Sequence, residues 1–241
     1  MAIEKDFYED EKTLQDYLAF RHSPESPNEA IEKPAFLELL GSVKNKTILD
    51  LGCGDAKFGL ELLEGGCASY TGIEPLTKML ELAKQTLGTK GSLEQSTIEA
   101  WTYPPERFDV VISRLALHYV KDLDEAFRNI YKTLKADGRF VFSMMHPVMT
   151  CCDKSRENNE KRTSWIVDNY FLEAPRKVRL QNDYVTQYHR TLESIFIALQ
   201  KAGFVFEELR EGCPKAEKFE DKALLERRMR IPLFLILSVR K

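Results

Sequence analysis

The chain has 241 residues, a formal net charge of -3 and 43% hydrophobic side chains. That is enough apolar material for one large α/β domain or one domain with a cap, and it argues against a disordered chain. Its basic runs, "RKVR" at 176–179 and "ERRMR" at 226–230, are short. This argues against nucleic acid as a partner, because phosphate binding needs a clustered basic footprint.

The first residues, "MAIEKDFYEDEKTLQDY", are acidic and polar, unlike a signal peptide. A helix is expected over about 7–20, with Leu14, Tyr17 and Leu18 on one face. "HSPESPNE" breaks it with two prolines, and Asn28 in this stretch suits a turn. A second short helix starts near Pro34, a good first-turn residue, and stops at Gly41. From Thr47 the pattern alternates: strand 47–51, helix 56–64, strand 69–73, helix 75–87, strand 91–95, strand 108–113, helix 122–134 and strand 139–144. Asp122 caps its helix with Glu125 three residues on. Strands alternating with helices imply right-handed crossovers and a parallel sheet covered on both faces. The rhythm stops over 146–190, which lacks clean periodicity but holds Trp165, Tyr170, Phe171, Tyr184 and Tyr188. That is too long for a plain loop and predicts a lid. A helix resumes at Thr191 and closes at Gly203. Two strands, about 204–209 and 232–240, follow and are expected to pair antiparallel. The longest apolar run, "IPLFLILSV" at 231–239, is too short to span a bilayer, so no membrane partner is expected. The five cysteines, Cys53, Cys67, Cys151, Cys152 and Cys213, are odd in number and scattered. They suggest reduced thiols in a cytoplasmic protein, and the Cys151–Cys152 pair has no second pair to complete a metal site.

The stretch "TILDLGCGDAKFG" (47–59) poses the functional question. Ligands of open parallel sheets sit at the carboxyl ends of the strands, where this turn lies. A dinucleotide fingerprint wants a third glycine where Lys57 stands. Asp50 precedes the turn, and a carboxylate there repels a pyrophosphate and attracts a cation. Glu74 ends the second strand and suits ribose hydroxyls. The site therefore wants a ribose, a positive charge and no pyrophosphate. S-adenosylmethionine has a ribose, an ammonium and a sulfonium.

"ILDLGCGDA", "YTGIEP", "STIEAW", "FDVVISRLALHYV" and "LKADGRFVFSMMHP" follow one another across about 47–147. In this the chain resembles the class I S-adenosylmethionine-dependent methyltransferases, and among them the type 11-like small-molecule group, in which "HP" after strand 5 and "YHRT" before the last helix recur. The resemblance implies an α/β Rossmann-like seven-stranded sheet of order 3-2-1-4-5-7-6 with strand 7 antiparallel and helices on both faces. One methyltransferase domain would span 1–241: a helical cap over 1–45, a cofactor-binding core over 46–145, a lid and acceptor insertion over 146–190, and a last helix and strands over 191–241. By position, Asp50, Gly52 and Gly54, with Cys53 between the glycines, would line the methionine and ribose part. Glu74, with Pro75 beside it, would bind the ribose. Thr97, Ile98 and Glu99 lie in the turn that usually holds the adenine, and Ser113 and Arg114 would border the methyl donor. Ala56 stands where the family usually has a third glycine, and Thr97 where an aspartate often meets the adenine amino group.

Arg21 is a candidate partner for the cofactor carboxylate, which needs a cation. His146 at the end of strand 5 and His189 at the start of the last helix are candidate acid–base groups. His118 suits a structural histidine bonding backbone. The expected activity is methyl transfer to a small-molecule acceptor, with most acceleration coming from alignment of donor and nucleophile. The alternatives are a regulatory protein that binds the cofactor without turnover and an NAD-dependent oxidoreductase. The sequence names neither acceptor nor oligomeric state.

Overall fold

The computed structural model describes residues 11–152, 154, 164–180 and 183–241. β1 (Thr47–Leu51) carries Ile48, Leu49 and Leu51, all fully buried, so it lies mid-sheet with apolar side chains on both faces. Around it run β2 (Ser69–Ile73), β3 (Ser92–Glu94), β4 (Phe108–Arg114) and β5 (Leu134–Met145), all parallel. β9 (Phe234–Arg240) pairs antiparallel with β5 and with β8 (Val205–Arg210). The order is β3-β2-β1-β4-β5-β9-β8, the sheet implied by the resemblance, with the reversed final strand between its neighbours.

The strand pleat sends side chains alternately to two cores. Leu49, Leu51 and Val111 meet α5 (Leu123–Thr133) and α7 (Leu192–Ala202) through Phe127, Ile130, Ile195 and Leu199. Ile48, Val110 and Ile112 meet α2 (Lys33–Leu40) and α3 (Lys57–Glu64) through Phe36, Leu39 and Leu62. The caps read from sequence are in place: Asp122 accepts from the Glu125 amide, Thr191 from the Ser194 amide, and Gly203 ends α7 at φ 101°. α1 (Glu11–Arg21) lays Leu14 on Met79 of α4 (Thr77–Leu87), with Tyr17 and Leu18 beside it. Residues 7–10 of the expected first helix lie outside the described residues.

Three features differ from the sequence reading. A π-helical turn, Asn28–Glu32, leads directly into α2. β5 begins at Leu134, where it pairs with Phe108 before the register shifts. The expected lid holds a one-turn helix, α6 (Pro147–Thr150), and a separate hairpin of β6 (Pro175–Leu180) and β7 (Asp183–Tyr188). "PRKVRL" and "DYVTQY" put few apolar residues inward, Val178 and Val185 being the buried ones, so no alternation stood out. Residues 153, 155–163 and 181–182 of that segment lie outside the described residues. Between β8 and β9 runs α8 (Lys222–Arg228), capped by Asp221 and too short for a parallel crossover.

Candidate cofactor site

The turn after β1 is built by close approach. Gly52 has φ +81°, and a Cβ on it would lie 2.5 Å from the Cβ of Ala116 in the loop after β4. Gly54 has φ +59° and open space where its side chain would be, so its backbone faces the cleft. In α3, Gly59 leaves room for Tyr70, whose hydroxyl donates to Asp50 at 2.7 Å. Asp50 therefore sits behind the turn, 3% exposed, and burial raises its pKa to about 6 against that hydrogen bond. Ala56, at the third glycine's place, is held at φ +56° as the N-cap of α3. The family glycine thus marks a left-handed position, which alanine occupies at a strain cost.

Glu74 is the hub. Its Oε2 accepts from the Gly54 amide and its Oε1 from the Leu76 amide, each at 3.0 Å. Burial raises its pKa to about 7, although both amides pull the other way. A carboxylate has about four lone-pair positions. Two are used by backbone, which leaves room for two hydroxyl donors. The cleft beside it, about 580 Å³ with its open mouth included, is lined from the turn by Gly52 and Gly54. Pro75, Leu76, Met79 and Ile98 give it an apolar wall. Leu115, Ala116 and Tyr119 border it after β4, and Tyr17 and Arg21 reach in from α1.

Arg21 donates to the Tyr17 hydroxyl at 3.1 Å and makes no ion pair among the described residues. Burial works against its charge, yet Tyr17 and the nearby carboxylates of Asp55 and Glu32 keep the guanidinium protonated. Arg114 also lines the cleft, but its guanidinium is engaged by Glu32 through Nε and Nη2 and lies 4.3 Å over the Phe58 ring. Glu32, fully buried on the π-helical turn, also accepts from the Ser143 hydroxyl at 2.6 Å. A second clasp joins His22 Nε2 to Asp55 at 2.8 Å, and it lowers the Asp55 pKa despite burial.

Of the residues singled out by sequence, Arg21, Gly52, Gly54, Glu74, Pro75, Ile98 and Arg114 line the cleft together. The others stand behind or beside it. Cys53 is buried, and burial pushes its thiol pKa well up. Ser113 ties β4 to β1 by donating to the Leu51 carbonyl at 2.8 Å. Thr97 accepts from the Ala100 amide at 3.1 Å, and Glu99 from the Lys121 amide at 3.3 Å. His146 caps α6, accepting from the Val148 amide, with Nε2 3.1 Å from Glu211. Burial lowers its pKa more than Glu211 restores it. His189 has both ring nitrogens occupied, Nδ1 by the Thr150 hydroxyl at 2.7 Å and Nε2 by the Tyr170 carbonyl at 2.8 Å. Its pKa is lowered, burial being the main cause. Neither histidine lines the cleft.

Tyr17, Leu76, Met79, Leu115, Ala116 and Tyr119 were not singled out. Leu76 and Met79 had a signal, apolar residues one turn apart just after Glu74. Leu115 faces the cleft because its backbone turns at φ +56°, which no residue type announces.

A buried carboxylate, an apolar wall and a guanidinium thus lie together at the carboxyl edge of this sheet, where open parallel sheets take their ligands. Residues 49–142 match the model of a family described as a methyltransferase domain. An S-adenosylmethionine-dependent methyltransferase structure from Mesorhizobium loti is 30% identical, covers 92% of this chain and all of its own, and superposes with a TM-score of 0.80. An uncharacterised Haemophilus influenzae protein is 34% identical over 85% of each chain. The ubiquinone/menaquinone biosynthesis C-methyltransferase of Pectobacterium atrosepticum is 32% identical over 47% of this chain and 48% of its own. The chain belongs to the S-adenosylmethionine-dependent methyltransferases. Among its described residues, no helix is long and apolar enough to cross a membrane.

Proposed function

We propose that this enzyme moves the methyl group of S-adenosylmethionine to a small-molecule acceptor, with the cleft around Glu74 as donor site. The observation that carries this is Glu74 itself: a buried carboxylate pinned by two backbone amides, with unused lone pairs toward an apolar cleft. The cosubstrate supplies a methyl on a sulfonium, a group that already carries its own leaving group. Glu74 accepts the two ribose hydroxyls. Leu76, Met79 and Ile98 enclose the adenine. Arg21 pairs with the methionine carboxylate and thereby draws α1 over the cleft. Gly52 and Gly54 let the backbone approach the ligand.

The chain's contribution to rate is alignment and water exclusion. His146 and His189 act in this reading as fasteners of the lid: each is neutral and committed to a neighbour. The cap over 1–45 and the segment 146–190 choose the acceptor. A small molecule is supported by the Pectobacterium relative, named for ubiquinone and menaquinone biosynthesis. The five free cysteines suit a cytoplasmic site of action.

The test is a screen of metabolite pools with methyl-labelled S-adenosylmethionine, read as labelled product and S-adenosylhomocysteine in equal amounts. Tight binding of S-adenosylhomocysteine with no turnover across all pools would favour a binding protein. Tight binding of NAD in its place would overturn the donor assignment.

A further inference from the structure

Beyond the rim of the donor cleft, two largely buried residues each carry a polar group with no hydrogen-bond partner among the described residues. The first is His118, in the 3-10 turn Leu117–Tyr119 after β4, 2% exposed. Its Nδ1 accepts from the Met145 amide at 3.4 Å, at the carboxyl end of β5. A backbone amide can only donate, so the neutral ring carries its proton on Nε2. Burial lowers the pKa of this histidine to about 3, which leaves it an N–H donor and neither a cation nor a base. That N–H meets no acceptor among the described residues.

The second is Gln187 on β7. This strand packs against the same 3-10 turn. Alternation turns Val185 and Gln187 to one face, and both are buried, with Val178 opposite Val185. Gln187 is 8% exposed, yet its amide makes no hydrogen bond among the described residues. On residues this buried, a polar group without a protein partner is met either by water or by a ligand. Two such groups on elements packed together, next to Tyr119 of the donor cleft, point to a ligand bound there. The surrounding buried side chains, Leu117, Val178 and Val185, are apolar. Arg176, across the hairpin from Gln187, spends its guanidinium on the carbonyls of Cys151 and Leu172.

We propose that His118 and Gln187 form the polar end of the acceptor site, and that the acceptor is an uncharged small molecule bearing a hydroxyl or carbonyl oxygen. This rests on the methyltransferase reading of the neighbouring cleft. The oxygen accepts from His118 Nε2–H, and the Gln187 amide completes its hydrogen bonding as donor or acceptor. A charged acceptor would be stripped of water there without a counter-charge, since Arg176 is turned to carbonyls. The bonded oxygen is a handle that sets the acceptor's orientation toward the methyl donor.

The test uses the full chain saturated with S-adenosylhomocysteine and labelled with 15N in its histidine and glutamine side chains. Three probes are titrated and followed by NMR: phenol, acetate and ethylammonium. Phenol should shift the His118 Nε2–H and Gln187 amide signals together and saturably, while the two ions should not. Gln187→Leu should weaken phenol at least fivefold and leave S-adenosylhomocysteine affinity within twofold; Gln187→Met serves as a second variant should the first misfold. Unmoved signals with every probe, equal phenol affinity in the variants, or ions binding as well as phenol would each overturn the proposal. S-adenosylhomocysteine binding in the same samples separates the two readings: its loss in the parent protein contradicts the donor site, and its retention with silent side chains contradicts only the acceptor site.

Discussion

The cleft around Glu74 and the segment before β1 are held by different means. In the cleft, Glu74 grips the Gly54 amide from 20 residues away, and turns set the remaining geometry. The segment before β1 adds side-chain ties from distant parts of the chain to the apolar packing of α2: Glu32 reaches Arg114 across 82 residues and Ser143 across 111, and His22 reaches Asp55 across 33. Backbone-built sites are as rigid as the sheet that carries them. α1 buries little beyond Leu14 and can open without unfolding the sheet, which suits a segment that must admit ligands, whereas α2 carries Phe36 and Leu39 into the core and stays with the sheet.

The largest expected effect breaks the cap. Glu32→Ala leaves the Arg114 guanidinium buried without its carboxylate, which should cost about 3–5 kcal/mol, read from the urea midpoint at constant slope. A loss below about 1 kcal/mol, the range of exposed pairs, would show that the ion pair is not what fastens the cap.

The next effect belongs to the cleft. Glu74→Ala should weaken S-adenosylhomocysteine by about 1.5–3 kcal/mol, the worth of hydrogen bonds to a charged group, measured by calorimetry. The same carboxylate sets a pH dependence. Its pKa is about 7 without ligand, and hydroxyls donating to it favour the charged form. Binding should therefore release protons, and affinity should rise with pH up to about 7 and level off above it. Glu74→Gln should flatten that profile. A profile that falls over this range, or persists in Glu74→Gln, would remove Glu74 from ligand contact.

A smaller effect compares both regions at once. Saturating S-adenosylhomocysteine should slow amide exchange in α1 and the β6–β7 hairpin, and change β1, β4 and the core-packed α2 little, since these already open only with the whole fold. Equal change in strands and cap would erase the distinction. The smallest effect concerns Ala56. Relief of its left-handed backbone, a strain of about 1–2 kcal/mol, is offset in Ala56→Gly by the looser unfolded chain. The thermal midpoint should then move by only a few degrees, whereas Ala56→Val, β-branched at φ +56°, should lower it clearly.

The same contrast explains what could be read from sequence. The core was legible because its signals are local: "TILDL" reads as a buried strand, Asp122 and Thr191 announce helices, and Glu74 ends a strand where a ribose would lie. The place of Asp50 behind the turn gave no local sign, because it depends on Tyr70 passing over Gly59, a contact that strand order alone creates. The π-helical turn and the Glu32–Arg114 pair gave no local sign, since each partner alone reads as a solvated charge. The hairpin escaped because its inward face mixes Val178 and Val185 with Gln187, too polar to register as an apolar stripe.

The central claim is that the Glu74 cleft holds the methyl donor. Its most direct test is calorimetric titration of the parent protein with S-adenosylhomocysteine and with NAD, in buffers of different ionisation enthalpy near pH 7. One molecule of S-adenosylhomocysteine should bind per chain, with proton release that disappears in Glu74→Gln, and NAD should give no heat. Binding of NAD without S-adenosylhomocysteine, or S-adenosylhomocysteine binding with proton uptake, would contradict it.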